Sequence, residues 1–160
     1  MGGHRRPLLV AAGAFSLVGI VAIGGIATAR DRSPLRAALA GTNELPATDP
    51  DGTGRARVTI DEDAGEVCFS VRINDVGTPN RGHIHVGTAE QNGGIVVPLF
   101  ELIGQPADPA NDSLEEGHLE GCVAGLSPTL LGEIAANPAG YYVNVHNTRF
   151  PGGAARGQLE

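Results

Sequence analysis

Two short segments far apart in the chain alternate between apolar and polar residues in the way that β-strands do. In segment 82–87, Ile84 points to one face, while His83 and His85 point to the other. In segment 141–148, one face carries Tyr141, Val143 and Val145, and the opposite face carries Tyr142, Asn144 and His146. If the two strands are neighbours, three imidazoles meet on one sheet face. The pattern therefore predicts either a metal site or a hydrogen-bonded structural cluster.

The same alternation recurs along most of the chain. Together with the short apolar run at 95–100, it predicts further strands over 41–46, 56–60, 66–73, 95–100, 118–123 and 154–159. One helix is predicted to start at Pro128 with Ser127 as its N-cap, its apolar side carrying Leu130, Leu131, Ile134 and Ala135. The longest irregular stretch is 104–117. Many short strands with one small helix indicate an all-β antiparallel sandwich or barrel.

The N-terminal part reads as a targeting segment. Arg5 and Arg6 precede an uncharged apolar run over 8–26, and Ala27-Thr28-Ala29 follows as a cleavage signature. Residues 1–29 are therefore predicted to be a signal peptide, cleaved after Ala29, or else an uncleaved membrane anchor, since about 20 apolar residues can span a bilayer. We expect a flexible lead-in over 30–38 and one folded domain over 39–160. Either way, this domain is predicted to be secreted or extracytoplasmic.

The charge balance limits the partners of the chain. Asp and Glu number 18 against 11 Lys and Arg, which gives a formal net charge of −7. An acidic protein is a poor partner for nucleic acid or an anionic membrane. We therefore expect no nucleic-acid partner and membrane contact only through an uncleaved N-terminal segment, and the remaining candidate is an extracellular ligand that the sequence does not name.

Cys68 and Cys122 are the two cysteines of the chain. In an exported protein such a pair indicates a disulfide. Both cysteines fall on the polar side of their strands, so they can bridge if those strands adjoin. A bridge of this span adds about 4 kcal/mol by the chain-entropy argument. The alternative, two metal-binding thiolates, is disfavoured because no CxxC spacing is present.

Three motifs together resemble the CHRD domain, a repeat first named in chordin. They are Gly41-Thr42-Asn43-Glu44-Leu45-Pro46, then His83-Ile84-His85 with Asn92-Gly93-Gly94-Ile95-Val96-Val97, and finally Asn144-Val145-His146-Asn147-Thr148 leading into Pro151-Gly152-Gly153-Ala154-Ala155-Arg156-Gly157-Gln158-Leu159. The similarity covers residues 37 to 160. It implies an immunoglobulin-like or superoxide-dismutase-like β-sandwich and carries no defined activity.

The histidine cluster has two interpretations. Two imidazoles from an H-x-H strand and a third from a neighbouring strand suit a His₃ site for zinc or copper. A similar H-x-H strand supplies copper ligands in copper-zinc superoxide dismutases, which is an analogy of fold and spacing only. His118 is a candidate fourth ligand. In the other interpretation, His83, His85 and His146 bond to loop backbone and fix strand register.

The chain shows no Ser-His-Asp spacing, nucleophile elbow or paired carboxylates. The sequence thus favours a binding or structural module without catalysis, with metal binding, and redox activity of that metal, as the alternative. Glu44 and Arg156 are predicted to fall in the first and last strands and to pair across the sheet; otherwise they are two exposed charges that contribute little.

Overall fold

The structure is a computed structural model that describes Met1 and residues 33–102 and 116–160. The predicted signal segment lies outside these residues, as does most of the irregular stretch at 104–117. The folded unit extends over Asp31–Glu160. None of the helices in the described ranges has the length and apolar character needed to cross a membrane.

Eight strands and one helix make up the described part of the chain. The strands are β1 (Leu35–Ala40), β2 (Thr53–Asp61), β3 (Glu66–Asn74), β4 (Pro79–Val86), β5 (Ile95–Glu101), β6 (Glu116–Val123), β7 (Tyr141–Asn147) and β8 (Ala155–Gln158). The helix α1 is Pro128–Ala136, and short 3₁₀ turns occupy Gly41–Asn43 and Pro138–Gly140. The predicted all-β fold with one short helix is confirmed.

The eight strands form one antiparallel sheet in the order β5-β4-β7-β8-β1-β2-β3-β6. The sheet curls so that its end strands β5 and β6 come into contact. Near this seam the rings of Phe69 on β3 and Phe100 on β5 lie 5.9 Å apart between centroids. The result is a nearly closed barrel, in which β8 joins the β5-β4-β7 part to the β1-β2-β3-β6 part.

The core fills the inside of this curled sheet with alternate residues from each strand, as the period of two requires. Fully buried side chains include Val58, Val71, Ile84, Val143 and Val145. Leu131 and Ile134 of α1 are also fully buried and close one end of the core. Ser127 occupies the N-cap position as predicted, although its side chain makes no capping hydrogen bond.

The first strand lies earlier than predicted. β1 is Leu35–Ala40, whereas the sequence pattern predicts a strand over 41–46 and a flexible lead-in over 30–38. Ala37 and Leu39 point into the core, so residues 35–38 are part of the folded domain. The segment was missed because it is rich in alanine, which is depleted in strands. At Gly41 the backbone packs so closely that an added Cβ would lie 2.0 Å from the Asp49 carbonyl oxygen.

The predicted disulfide between Cys68 and Cys122 is present. β3 and β6 are neighbours, and the register places the two cysteines directly opposite each other. Leu119 and Val123 pack against the core, which leaves Cys122 on the outer face, as the alternation predicts. A disulfide of this kind suggests an extracytoplasmic environment.

Candidate metal centre

The three predicted histidines come from two adjacent strands, β4 and β7. The register sets His83 opposite Asn144, two positions before His146. Ile84 is fully buried in the core, so its neighbours His83 and His85 point to the outer side of the sheet. His146 shares that side. Strand pleating therefore gathers the three imidazoles, and each of them is buried.

The nitrogen atoms of the cluster lie close together. Nδ1 of His83 is 3.1 Å from Nε2 of His146. One ring nitrogen from each histidine can be chosen so that all three lie within 4.8 Å of one another. In a tetrahedral site with metal–nitrogen bonds of about 2.0–2.1 Å, two ligand nitrogens are about 3.3 Å apart. Small shifts of the rings would therefore bring all three nitrogens into reach of one ion.

Backbone carbonyl groups hold two of the rings. Nδ1 of His85 donates to the carbonyl oxygen of Gly93 at 2.9 Å, and Nδ1 of His146 donates to that of Pro151 at 3.1 Å. Each bond places the proton on Nδ1 and leaves the lone pair on Nε2. An outer hydrogen bond of this kind is what fixes a metal-ligating histidine in other proteins.

Among the ring nitrogens of the cluster, Nε2 of His85 stands out because its hydrogen-bonding capacity is unused within the described part of the chain. It is buried and has no hydrogen-bond partner among the described residues. A buried nitrogen lone pair without a donor is costly, by about 1–3 kcal/mol. Nε2 of His146, by contrast, can accept from Nδ1 of His83. As a purely hydrogen-bonded unit, the cluster therefore leaves the buried acceptor nitrogen of His85 without a donor from the described residues.

The electrostatic setting keeps the cluster neutral. Burial lowers the pKa of His83 to about 4, with further lowering by His85 and Arg81. Burial likewise lowers the pKa of His146 to about 4, and the neighbouring His83 adds to this shift. Burial also lowers the pKa of His85, against the hydrogen bond to Gly93. All three rings are therefore in the neutral form that ligates metals at neutral pH.

An aromatic residue supports the cluster on one side. The ring of Tyr142 stacks on His85 with the centroids 4.9 Å apart and the planes 9° from parallel. Its hydroxyl oxygen accepts from the backbone N–H of Gly93 at 3.2 Å. The guanidinium of Arg156 lies 4.5 Å from the Tyr142 ring centroid. Arg156, Tyr142 and His85 thus form a stack that fixes the orientation of the His85 ring.

Comparison with known families agrees with this architecture. A family model described as the CHRD domain matches residues 35–159, from the first residue of β1 to the residue after β8. The chain belongs to the CHRD domain family. No curated protein and no solved structure matches the chain in the same comparisons. Membership suggests a structural or binding module.

The structure does not place His118 with the other three histidines. His118 lies on β6 of the CHRD domain, opposite Arg72 on β3. Its Nε2 is 2.9 Å from the hydroxyl of Ser70 and 3.6 Å from a carboxylate oxygen of Glu120. β6 pairs with β3 and not with β4 or β7, and the local pattern of β6 carries no information about strand pairing.

Glu44 and Arg156 are both buried, but they do not form the predicted ion pair. Glu44 follows the 3₁₀ turn and lies outside the first strand, and among the described residues no salt bridge joins it to Arg156. Instead, a Glu44 carboxylate oxygen accepts from the side-chain amide of Asn144 at 3.4 Å. Burial raises the pKa of Glu44 to about 7, although the charge of Arg156 and the bond from Asn144 oppose the shift.

Arg156 connects β8 to two loops of the CHRD domain through hydrogen bonds. Its Nε donates to the carbonyl oxygen of Asn43, and its two terminal nitrogens donate to the carbonyl oxygens of Ala89 and Gln91 and to the side chain of Asn92. These loops lie beside the histidine cluster, since Gly93 holds His85.

Sequence reasoning missed the residues that support the cluster. The alternation that locates His146 also puts Tyr142 on the cluster face, but it does not reveal that the Tyr142 ring stacks on His85. The carbonyl groups of Gly93 and Pro151 carry no signal of their own in a sequence, because every residue has a carbonyl group. Their part in the site is visible only from the loop paths.

Proposed function

We propose that this chain is an exported CHRD module that binds one transition-metal ion, zinc or copper, through His83, His85 and His146. The observation that carries the proposal is the buried Nε2 of His85, which has no hydrogen-bond partner within the described residues. An ion shared with the neighbouring His83 and His146 would satisfy this lone pair. Export is supported by the disulfide and by the targeting character of residues 1–29.

The ligand set suits a borderline metal. Neutral imidazoles are ligands for zinc, copper, iron and nickel, whereas magnesium and calcium prefer oxygen. The described part of the chain adds no fourth histidine, cysteine or carboxylate to the group. The fourth coordination position would therefore be open to water or to a small ligand, as in sites with three protein ligands. The proposal covers binding and assigns no turnover.

Binding requires one rearrangement inside the cluster. Without metal, Nδ1–H of His83 donates to Nε2 of His146. For both nitrogens to face an ion, the proton of His83 must move from Nδ1 to Nε2, which changes the tautomer without changing the charge. The hydrogen bonds from His85 to Gly93 and from His146 to Pro151 are retained, so these two ligands are already oriented.

The test is metal stoichiometry and affinity in the purified chain without an affinity tag. We expect about one equivalent of Zn²⁺ or Cu²⁺ after dialysis, and loss of at least about 100-fold in affinity for His85→Gln and for His146→Gln. His118→Gln is the matched control, since this exposed imidazole lies outside the cluster, and it should bind as the parent does.

A second candidate function is a binding or structural module in which the three imidazoles only fix the fold. The 3.1 Å contact between His83 and His146 favours it, because that contact is an adequate hydrogen bond by itself. The same experiment separates the two. If the parent chain holds no metal and His85→Gln lowers only the thermal stability, the cluster is structural.

A further inference from the structure

The outer face of β1, β2 and β3 carries an unusual concentration of positive charge. Its arginines are Arg36, Arg55, Arg57 and Arg72, all of them exposed. They are four of the 11 basic residues in a chain with 18 acidic ones. We refer to these four residues as the arginine face.

The register makes the four arginines direct neighbours. Arg36 on β1 lies opposite Arg57 on β2, and Arg55 on β2 lies opposite Arg72 on β3. Residues directly opposite on neighbouring strands are about 5 Å apart, and Arg55 and Arg57 are about 7 Å apart along one strand. The four cations therefore form one compact array.

This arrangement costs stability, because like charges directly opposite each other in a sheet repel. No salt bridge among the described residues relieves the repulsion at any of the four. Arg57 faces Ser70 on its other side, and Arg72 faces His118. Within the described part of the chain, the four arginines have no ion pair and outnumber the one acidic residue that lines their surface depression, Glu160, so the array is suited to a ligand that brings negative charge.

The shape of the surface points to an extended ligand. A depression of about 430 Å³ is lined by the four arginines, by small residues and, beside Arg36, by Glu160. A second depression of about 670 Å³ continues from it past Arg55 and Arg72 towards His118. Both depressions share Arg55 and Arg72. A ligand lying along them would meet successive guanidinium groups, each able to form paired hydrogen bonds with a carboxylate.

We propose that the arginine face binds a linear acidic polysaccharide that carries carboxylate groups. The disulfide suggests that the domain works outside the cytoplasm, where such polymers occur in cell walls and matrices. A single carbohydrate chain can lie along the array without bringing its charge near the rest of an acidic protein. A lipid bilayer presents a broad negative field, which would repel the remainder of a chain of net charge −7.

The side chains beside the arginines also disfavour the other polyanions. The neighbours on this face include Ala38, Ser70, His118, Glu120 and Glu160, and none of these is a large apolar residue that could insert into a membrane. Single-stranded nucleic acid is usually bound by stacking bases on aromatic rings. Phe69 of β3 points instead into the core.

The experiment measures binding of the purified full chain to polygalacturonate by affinity electrophoresis and calorimetry, with neutral dextran as the blank. We expect binding that weakens steeply between about 50 mM and about 200 mM salt. The variants Arg55→Ser/Arg72→Ser and Arg36→Ser/Arg57→Ser should each lose about tenfold or more in affinity. Arg149→Ser is the matched control, since it removes an exposed arginine elsewhere, and it should stay within about twofold of the parent.

The melting temperature of the variants separates a binding role of the arginines from a structural one, because loss of structural residues would lower it. Because each double substitution removes like-charge repulsion between facing arginines, both double variants should melt at or above the melting temperature of the parent. Arg55→Lys/Arg72→Lys keeps the charge but loses the paired hydrogen bonds, so intermediate affinity is expected. The proposal is overturned if polygalacturonate does not bind, if Arg149→Ser loses as much as the paired variants, or if phosphatidylglycerol vesicles or DNA bind in its place.

Discussion

His83 and His146 are 63 positions apart in the chain, yet Nδ1 of the first lies 3.1 Å from Nε2 of the second. The contact depends on β4 and β7 being hydrogen-bonded neighbours in the sheet. Burial keeps both rings neutral, so the pair can exist either as a hydrogen bond or as two ligands of one ion. Which of these two states forms decides whether the cluster binds a metal ion or only stabilises the fold.

If the cluster binds metal, metal must also stabilise the fold. At a free Zn²⁺ concentration of about 100 times Kd, the free energy of unfolding should rise by about 2.7 kcal/mol, which raises Tm by several degrees. Thermal melts with and without chelator measure this shift. His146→Gln should show no shift, whereas His118→Gln should keep all of it. An equal shift in both variants would place the metal elsewhere.

Glu44 should make the fold more stable in mild acid. Its pKa is about 7 in the folded state and 4.5 as the ordinary value. The folded state therefore prefers the protonated form, and the contribution of Glu44 to stability is complete below pH 4.5 and is lost as pH rises through 7. Glu44→Gln removes this dependence. At about pH 8 the variant should be more stable than the parent by up to roughly 3 kcal/mol.

The measurement for Glu44 is urea unfolding of parent and variant at several pH values. The two curves must be compared by difference, because the lowered pKa values of the histidines act in the opposite direction below their ordinary value of 6.5. Arg156 and Asn144, which face Glu44, are unchanged in both proteins. A difference that is constant with pH would contradict the raised pKa.

Removing the disulfide should weaken the fold without changing its topology. Cys68 and Cys122 are 54 positions apart, and closing a loop of that size contributes about 4 kcal/mol by the chain-entropy argument. We expect Cys68→Ser/Cys122→Ser to lower the free energy of unfolding by a comparable amount. Chemical unfolding of the variant, with the reduced parent as a control, measures the loss. The histidine cluster lies on other strands, so metal affinity should be unchanged.

Arg156→Lys should be destabilising even though it keeps the charge. The guanidinium bonds to three carbonyl oxygens and one side-chain oxygen. A lysine ammonium has three donors and cannot reproduce the planar fork, so buried acceptors lose their partners, at a cost of about 2–4 kcal/mol. Arg149→Lys on the surface is the control and should be neutral. Equal stability of the two variants would show that the buried bonds contribute little.

The strands of the site and the position of the disulfide were predictable from sequence, because side-chain alternation is a local property. Ile84 between two histidines is enough to fix which way each ring points once a strand is assumed. The same reasoning placed Cys68 and Cys122 on like faces. Local alternation does not show which strands are neighbours. The similarity to the CHRD domain did not supply the strand pairing either.

The rest depended on non-local packing. His118 has the same residue type and a similar strand context as His146, but it lies on β6, which pairs with β3 and not with β4 or β7. Glu44 and Arg156 are neighbours in space, yet Arg156 uses its donors on loop carbonyl groups that no sequence motif marks. β1 was missed because alanine-rich alternation is a weak strand signal.

The position of β8 between β7 and β1 has a consequence for the cooperativity of unfolding. The four residues Ala155–Gln158 are the hydrogen-bonded link between the β5-β4-β7 group of strands and the β1-β2-β3-β6 group. If β8 separates from either neighbour, an unpaired sheet edge is exposed, and such an edge is prone to aggregation.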